Sequence, residues 1–340
     1  MNNNYPKYNQ ADTIQKIIDE SEHIVVIQAD NPDADSLASA LALEDILENA
    51  SKKVTLYCGI DISQYLHYIP GTDRVVKDLP NNFDSAILVD CSSINLLEQL
   101  EKTNSIGALR TRPFIILDHH DIDNTITINN TAIIDSDSVA TGELIYLLAQ
   151  QLNWQISELA ASLLTTSILA DSLGFSTEKT SARPLRVVAD LIDKGANLAK
   201  LDEIRRRSMS KPIDIITYKG KLLQRIEYFI DNQLAMIDIP WEETQKFSPH
   251  YNPAVLVLEE LRFAQEIKIG IVLKTYPDGR ITGKLRSNFG SSIAGKLAEH
   301  FGGGGHPSAS GFKTKDYNLE NIKKEIIKIA NQLIVEESKS

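Results

Sequence analysis

Short apolar runs alternate with helical patterns along the first half of the chain. The runs have the length of β-strands and lie at residues 23–27, 53–57, 86–89 and 114–117. Between the first two, leucine and isoleucine residues over 36–49 recur at the spacing of a buried helical face. Continuous apolar strands separated by helices are typical of parallel sheets covered on both faces. The pattern therefore predicts an α/β domain with a largely parallel sheet.

The second half of the chain shows a different succession of elements. Helical patterns continue from residue 138 to about residue 207, and hairpin patterns follow at 226–238 and at 266–286. The second hairpin turns at Pro277-Asp278-Gly279, a strong turn signal, and helical patterns lie at about 291–300 and 318–335. We therefore predict a first domain at 1–195, a linker helix region at 196–215 and a smaller α+β domain at 216–340.

Composition and charge narrow the classes of function. The chain is 42% hydrophobic and 24% charged, and no apolar run reaches the roughly 18 residues of a membrane span. The first ten residues lack the basic start and apolar middle of a signal peptide. Two cysteines, Cys58 and Cys91, cannot form a disulfide framework, so we expect a cytoplasmic protein. A net charge of -11 argues against tracking of long nucleic acid, but not against a small anionic substrate.

Acidic residues and histidines follow the predicted strands and one apolar helix. They are Asp33 and Asp35, Asp90, the triplet Asp118-His119-His120, and Asp171. A single aspartate after a strand is usually a helix cap or a turn residue. In open α/β sheets, however, ligands bind at the carboxyl ends of the strands, and carboxylates with imidazole suit divalent cations. Their joint occurrence therefore predicts a metal site at this edge of the sheet.

Four segments around these residues make the likeness to a known family specific. NPDADS, VDCSS, LDHH and ILADSLGF resemble the four motifs of the DHH phosphoesterase superfamily. GGGGHPSASG at 302–311, with Lys284-Leu285-Arg286-Ser287, resembles the DHH-associated C-terminal domain. The likeness extends over residues 20 to 335 and is greatest to the short, stand-alone type, oligoribonucleases of the nanoRNase kind that also remove the 3'-phosphate from pAp.

The resemblance implies roles for the residues at the strand ends. It implies two Mn²⁺ or Mg²⁺ ions bridged by Asp90, with Asp33 on the first ion. The second ion would be held by Asp35, His119 and Asp171. The catalytic residues would be His120, which would face the substrate, and Asp118, which would orient the histidine pair. Two such ions activate a water and stabilise in-line displacement at phosphorus.

One position departs from the family pattern. The family has a histidine ligand of the first ion four residues before Asp33, where this chain has Ala29. The neighbouring Gln28 and Asp30 carry oxygen atoms, and a bulge at the strand end could bring Asp30 to the metal. Three outcomes stay open: Asp30 replaces the histidine, water fills the position, or the protein keeps one ion and has lost catalysis.

The glycine-rich segment near the C-terminus is a candidate substrate site. Glycine lets backbone N–H groups approach an anion closely, and arginine suits bidentate phosphate recognition. The resemblance assigns the segment to phosphate and nucleotide binding, so the predicted substrate-binding residues are Arg286, Ser287, Asn288, Gly303, Gly304, Gly305 and His306. Thr141, in a segment that resembles one near the family's active site, is a further candidate for substrate contact.

The sequence thus favours a metal-dependent phosphoesterase acting on short oligonucleotides, on linear dinucleotides such as pApA, or on the 3'-phosphate of pAp. Two alternatives remain: a cyclic-dinucleotide phosphodiesterase, and a catalytically weakened nucleotide-binding or sensor protein, which Ala29 motivates. We expect short oligonucleotides or small nucleotides as partners, with no membrane and no long nucleic acid. The question of a homodimer stays open.

Overall fold

The computed structural model describes residues 5–121, 125–248 and 251–339. The chain divides into two compact units, Met1–Ser210 and Lys211–Ser340. The division falls within the segment 196–215 that the sequence predicts as a linker. Among the described residues, no helix is both long and apolar enough to cross a membrane.

The first unit alternates strands and helices. Its strands are β1 (His23–Ile27), β2 (Lys53–Tyr57), β3 (Ser85–Val89), β4 (Phe114–Asp118) and β5 (Thr131–Ile134). Its helices are α1 (Ala11–Glu20), α2 (Ala34–Asn49), α3 (Glu98–Lys102), α4 (Ile106–Arg110), α5 (Thr141–Leu152), α6 (Glu158–Asp171), α7 (Ala182–Asp193) and α8 (Leu198–Ser208). The prediction of a strand–helix alternation is confirmed, and β5 is an addition to it.

The five strands form one parallel sheet in the order β2-β1-β3-β4-β5. Alternate residues of β1 enter different cores: Ile24 and Val26 pack with α2 and α5, while Val25 and Ile27 pack on the other face. Both faces are therefore covered, as predicted for an α/β domain. The order reverses direction between β1 and β3, and such a switch point is where α/β sheets bind ligands.

Sequence explains why α2 begins where it does. Asp33 is its N-cap, and the Oδ1 atom accepts a hydrogen bond from the Ser36 amide at 3.0 Å. The helix is apolar on most of its circumference, because it is packed between the sheet and α6. Its first turn consequently holds Asp35 at the carboxyl end of β1, with 1% of the residue exposed.

The second unit is an α+β fold, as predicted. Its strands are β6 (Glu227–Phe229), β7 (Leu234–Ile239), β8 (Ile269–Thr275), β9 (Ile281–Ser287), β10 (Gly304–His306) and β11 (Ala309–Thr314). Its helices are α9 (Ile213–Gln224), α10 (Trp241–Phe247), α11 (Pro253–Leu261), α12 (Ala294–His300) and α13 (Leu319–Glu337). The segment Gly304–His306, predicted as part of a glycine-rich loop, is instead a strand.

These strands form a mixed sheet in the order β10-β11-β9-β8-β7-β6. One face packs on α12 and α13 through residues such as Leu285 and Phe312. On the other face, α9 and α11 pack on β7 and β8 through residues such as Ile237 and Val272. Over β9, β11 and β10 that second face carries polar and small residues, including the partly buried Arg286 and the exposed Lys284.

Candidate metal centre and phosphate-binding face

Histidine and aspartate side chains converge at the carboxyl end of the first sheet. Nε2 of His119 lies 3.5 Å from one carboxylate oxygen of each of three aspartates, Asp35, Asp90 and Asp171. Among the described residues, Asp35, His119 and Asp171 form one compact group of potential ligand atoms, and Asp90, His119 and His120 form another. The structure therefore brings together five of the side chains that the sequence singled out.

The orientation of His119 is fixed by its second ring nitrogen. Nδ1 lies 3.2 Å from the carbonyl oxygen of Ser138, and the ring is buried. Because a carbonyl can only accept, Nδ1 is the donor in this contact, and Nε2 is directed at the three carboxylates. This is the arrangement in which histidine binds a metal ion.

Little positive charge lies beside the three carboxylates around His119 to stabilise their ionised forms. Burial, together with the charges of Asp35 and Asp33, raises the pKa of Asp90 well above its ordinary value. Burial also raises the pKa of Asp35 and that of Asp171. Buried carboxylates close to one another require a cation or protons. The chemistry of this donor set fits hard or borderline divalent cations, the class predicted from sequence.

Asp118 and His120 form a charged pair at the edge of this centre. Nδ1 of His120 lies 2.8 Å from Oδ1 of Asp118 and 3.7 Å from Oδ1 of Asp90. The hydrogen bond to Asp118 raises the pKa of His120, so the ring favours its cationic form. Burial raises the pKa of Asp118, but the hydrogen bond and charge of His120 outweigh burial and hold it below its ordinary value. His120 is about half exposed, with 48% of its side chain accessible, and is open to a ligand.

Thr141 is buried behind the candidate metal ligands Asp35 and Asp90 and does not lie on an open surface. Its backbone N–H donates to Oδ2 of Asp35 at 2.9 Å, and its Oγ1 donates to Oδ1 of Asp90 at 3.1 Å. The residue is completely buried. Sequence suggested a substrate contact at Thr141, whereas the structure shows a residue that holds two aspartates in position.

A buried ion pair that the sequence analysis missed supports the segment before α5. Nε of Arg183 donates to Glu143 at 2.7 Å, and Nη2 donates to Oγ of Ser138 at 3.1 Å. Glu143 in turn accepts from the backbone N–H of Val139 at 2.7 Å. The pair therefore fixes the segment that supplies the Ser138 carbonyl to His119. No local pattern marks Arg183, because its partners lie 40 and 45 residues away in sequence.

The residues near the expected first ion are arranged differently. Asp33 caps α2, and its charge contributes to the raised pKa of Asp90, so it lies near the centre but outside both compact groups. Asp30 accepts a hydrogen bond from the Gln99 backbone N–H at 2.8 Å, which commits its carboxylate to the start of α3. Ala29 is buried in the apolar cluster on the same face as Ile27.

Gln28 is the other neighbour of Ala29 with an oxygen atom. The residue is fully buried, and among the described residues neither its Oε1 nor its Nε2 has a hydrogen-bond partner. Oδ2 of Asp118 is likewise buried without a partner in the part of the chain that the structure describes. Buried polar atoms are normally satisfied, so these atoms mark places where an ion or its water fits.

In the second unit, two residues of the predicted substrate site lie in one row across the sheet. His306 on β10 is opposite Ala309 on β11, which is opposite Arg286 on β9. Residues directly opposite each other point to the same face, so Arg286 and His306 flank the small Ala309, roughly 10 Å apart at two strand spacings. Lys284, which sequence did not single out as a site residue, lies on this same face in the next row. We call Lys284, Arg286 and His306 the candidate phosphate-binding face.

The glycines shape the edge of this face. A Cβ on Gly303 would lie 2.2 Å from the carbonyl oxygen of Gly311, and Gly305 has φ +139°, so both positions need glycine. Gly304 pairs with Gly311 in the strand ladder. The side chains of Ser287 and Asn288 form hydrogen bonds with backbone carbonyl groups. Ser287 Oγ donates to the Pro307 carbonyl. Asn288 Nδ2 donates to the carbonyls of Leu261 and Ile267.

Comparison with known families identifies the class of protein. Residues 23–170 match the DHH family, N-terminal domain, and residues 250–336 match the DHHA1 domain. The chain belongs to the DHH family and is a phosphoesterase, a hydrolase of phosphoester bonds.

Individual relatives are distant but extend over most of the chain. The bifunctional oligoribonuclease and PAP phosphatase NrnA of Thermus thermophilus is 22% identical over 303 residues, 89% of this chain and 87% of that protein. The A-adding tRNA nucleotidyltransferase of Aquifex aeolicus is 26% identical over 307 residues, but the match spans 34% of that longer protein. The solved structure of an exopolyphosphatase-related protein from Bacteroides fragilis has a TM-score of 0.77 at 19% identity, covering 98% of this chain and 99% of that one.

Proposed function

We propose that this protein uses Mn²⁺ or Mg²⁺ to hydrolyse short oligoribonucleotides, linear dinucleotides such as pApA, and the 3'-phosphate of pAp. The observation that carries the proposal is the position of His119, whose Nε2 lies 3.5 Å from the carboxylates of Asp35, Asp90 and Asp171, the first two of them buried, while Nδ1 is held by Ser138. The NrnA relative, named as an oligoribonuclease and PAP phosphatase, supports the choice of substrates.

The proposed ligands of the metal ions are Asp35, Asp90, His119 and Asp171, with Asp33 beside them. When bound, two divalent ions activate a water and neutralise charge on the phosphoryl group. Thr141 and the Ser138 carbonyl hold three of these ligands in place before substrate arrives. Such preorganisation avoids reorganisation of the site during the reaction.

His120 is the proposed catalytic residue that meets the substrate. Its Nδ1 donates to Asp118, which leaves Nε2 for a phosphoryl oxygen or for the leaving-group oxygen. Because Asp118 favours the imidazolium, His120 has a proton to donate and a charge that attracts the anionic substrate. Asp118 acts through His120 by orienting the ring and stabilising its charge.

Arg286 and His306 are the proposed binders of a second phosphate of the substrate. Arginine and histidine on one sheet face, beside Lys284, make a locally basic surface in a protein of net charge -11. We further propose a cytoplasmic location, which the two buried free cysteines support. A measurement of the protein's mass in solution decides whether it forms a homodimer.

One panel of substrates tests this function. The protein, with Mn²⁺, is given 5'-labelled oligoribonucleotides of two to five residues, pAp, and cyclic di-AMP. We expect mononucleotide from the short oligomers and phosphate from pAp. Preferred turnover of cyclic di-AMP would instead support the cyclic-dinucleotide phosphodiesterase.

A second candidate function is motivated by Ala29. This buried alanine offers no donor where the family has a histidine ligand, and Asp30 is committed to Gln99. A protein with an incomplete first metal site would bind nucleotides without hydrolysing them. Tight binding of pAp without release of phosphate at any Mn²⁺ concentration would favour this sensor function over the hydrolase.

A further inference from the structure

Tyr8 lies in the segment before α1 and bonds to the turn that follows β5. Its hydroxyl donates to Oδ2 of Asp135 at 2.7 Å, although the two residues are 127 positions apart in sequence. The backbone of Tyr8 is held by Gln151 of α5, whose Oε1 accepts from the Tyr8 N–H at 2.8 Å and whose Nε2 donates to the Tyr8 carbonyl at 3.1 Å. Tyr8 is therefore anchored through its backbone as well as through its hydroxyl.

The same carboxylate oxygen of Asp135 holds the residue behind His119. Oδ2 of Asp135 also accepts from the Ser138 hydroxyl at 2.8 Å, and the Asp135 carbonyl accepts from the Ser138 N–H at 2.9 Å. The carbonyl of Ser138 lies 3.2 Å from Nδ1 of His119. A continuous series of hydrogen bonds thus connects the Tyr8 hydroxyl, through Asp135 and Ser138, to the imidazole that faces the three aspartates.

Asp135 is also tied to the strand that carries the histidine pair. Its backbone N–H donates to the carbonyl of Asp118 at 3.0 Å, and Nη2 of Arg183 lies 3.5 Å from its Oδ2. Only 13% of the Asp135 side chain is exposed, so water cannot readily replace a donor that is lost. Without the Tyr8 hydroxyl the carboxylate would lose one of its donors and could rotate, which would disturb its hydrogen bond with Ser138.

The hydroxyl of Tyr8 is suited to be a permanent donor. Burial, together with the charge of Asp135 and the hydrogen bond to it, raises the pKa of Tyr8, so the phenol keeps its proton near neutral pH. The aromatic ring packs against the apolar core of the first unit. Phenylalanine at this position would therefore keep the packing and remove only the donor.

We propose that Tyr8 is a positioning residue of the candidate metal centre. It fixes the carboxylate of Asp135 and, through Ser138, the orientation in which His119 receives the metal ion. The inference rests on the proposed function, because it concerns the metal affinity on which the proposed hydrolysis depends. Groups behind metal ligands change affinity by about 10- to 100-fold, and Tyr8 stands further from the ion than Ser138, so we expect an effect near the lower limit.

Calorimetric titration of the full chain with Mn²⁺ tests the proposal. Tyr8→Phe should bind Mn²⁺ about tenfold more weakly than the wild type. Tyr146→Phe is the comparison variant, because it also removes a hydroxyl that donates to an aspartate, Oδ2 of Asp190 at 2.9 Å. In the part of the chain that the structure describes, Asp190 makes no hydrogen bond to Asp135 or Ser138. Tyr146→Phe should keep the wild-type Mn²⁺ affinity, even where its melting temperature in EDTA falls as far as that of Tyr8→Phe.

A double variant tests the route through Ser138. Ser138→Ala removes the hydroxyl that bonds to Asp135 and keeps the backbone carbonyl that bonds to His119. If Tyr8 acts through this hydroxyl, the double variant should bind Mn²⁺ as Ser138→Ala alone does, because residues in one hydrogen-bond network are not additive. Losses that multiply would show that Tyr8 acts by another route.

Wild-type Mn²⁺ affinity in Tyr8→Phe, an equal loss in Tyr146→Phe, or multiplied losses in the double variant would overturn the proposal. The titrations measure metal binding, whereas the proposed function is measured by turnover of oligonucleotides and pAp. Mn²⁺ binding that depends on Tyr8 in a protein without turnover would contradict the proposed function alone. Mn²⁺-dependent turnover with metal binding independent of Tyr8 would contradict this inference alone.

Discussion

Nδ1 of His119 lies 3.2 Å from the carbonyl oxygen of Ser138, and this contact determines which nitrogen faces the three aspartates. Ser138 is itself held by Asp135, whose Oδ2 accepts from its hydroxyl at 2.8 Å, and by Arg183. The geometry of the candidate metal centre thus depends on residues outside the sequence motifs as well as on the motifs. Polar groups behind metal ligands commonly change affinity by about 10- to 100-fold when removed.

Thr141→Val should weaken metal binding without unfolding the protein. Valine keeps the shape and the backbone N–H to Asp35 but removes the hydroxyl that donates to Asp90. We expect the Mn²⁺ affinity, measured by calorimetry, to fall by about tenfold or more. Thr165→Val is the matched control, since Thr165 is equally buried and its hydroxyl bonds within α6, to the Ala161 carbonyl. Equal losses in both variants would show that Thr141 has no specific role.

Arg183→Met should destabilise the first unit strongly. It leaves Glu143, whose side chain is fully buried, without its charged partner, and breaking such a buried pair costs about 3–5 kcal/mol. The exposed pair of Arg207 with Glu203 provides the control, and Arg207→Met should cost less than about 1 kcal/mol. Urea denaturation measures both changes. Similar free energies of unfolding for the two variants would contradict the structural role of Arg183.

Gln28→Leu should have opposite effects on the metal-free and metal-bound protein. Removing a buried amide without partners relieves about 1–3 kcal/mol of desolvation cost, so the melting temperature in EDTA should rise. If Gln28 supplies an oxygen to the first ion, the additional stabilisation by Mn²⁺ should fall. Asp30→Asn should change neither, because an amide oxygen can still accept from Gln99. A loss of metal stabilisation in Asp30→Asn alone would make Asp30 the replacement ligand.

Cys58 and Cys91 should resist alkylation in the folded protein. Both are buried; burial raises the pKa of Cys58 and raises that of Cys91 to about 12. The thiolate is the reactive form, so at about pH 8 both groups stay protonated as well as inaccessible. Mass spectrometry after iodoacetamide should find no adduct in the native protein and two adducts in guanidinium chloride. Rapid native modification of either thiol would contradict the burial.

The spacing of apolar residues along the chain, which differs between strands and helices, predicted most of the fold. Strands β1, β3 and β4 are continuous apolar runs, and helices connect β1 to β2 and β3 to β4, as a parallel sheet requires. Strand β5 was missed because it is an edge strand, partly exposed and preceded by Asn129-Asn130. Strand β10 was missed because Gly304 and Gly305 indicate a loop, although pairing with β11 holds them extended.

The aspartates and histidines that converge at the candidate site could be singled out because each follows a strand or helix end. The residues that hold these side chains in place could not be predicted, since Thr141, Ser138 and Arg183 reach the centre through contacts distant in sequence. The direction of Asp30 also depends on tertiary structure: the start of α3 provides the Gln99 amide that binds it. The residue types of the candidate site could therefore be read from the sequence, and their arrangement could not.

The most direct test of the account is hydrolysis of pApA by the metal-stripped protein, before and after addition of Mn²⁺, in the wild type and in Asp90→Asn. We predict no turnover without metal, restoration by Mn²⁺, and at least about a 100-fold loss in Asp90→Asn, because bound metal contributes several kcal/mol to transition-state stabilisation. Circular dichroism should show that the variant is folded. Turnover that survives chelation, or wild-type turnover by Asp90→Asn, would contradict a metal-dependent phosphoesterase centred on Asp90 and His119.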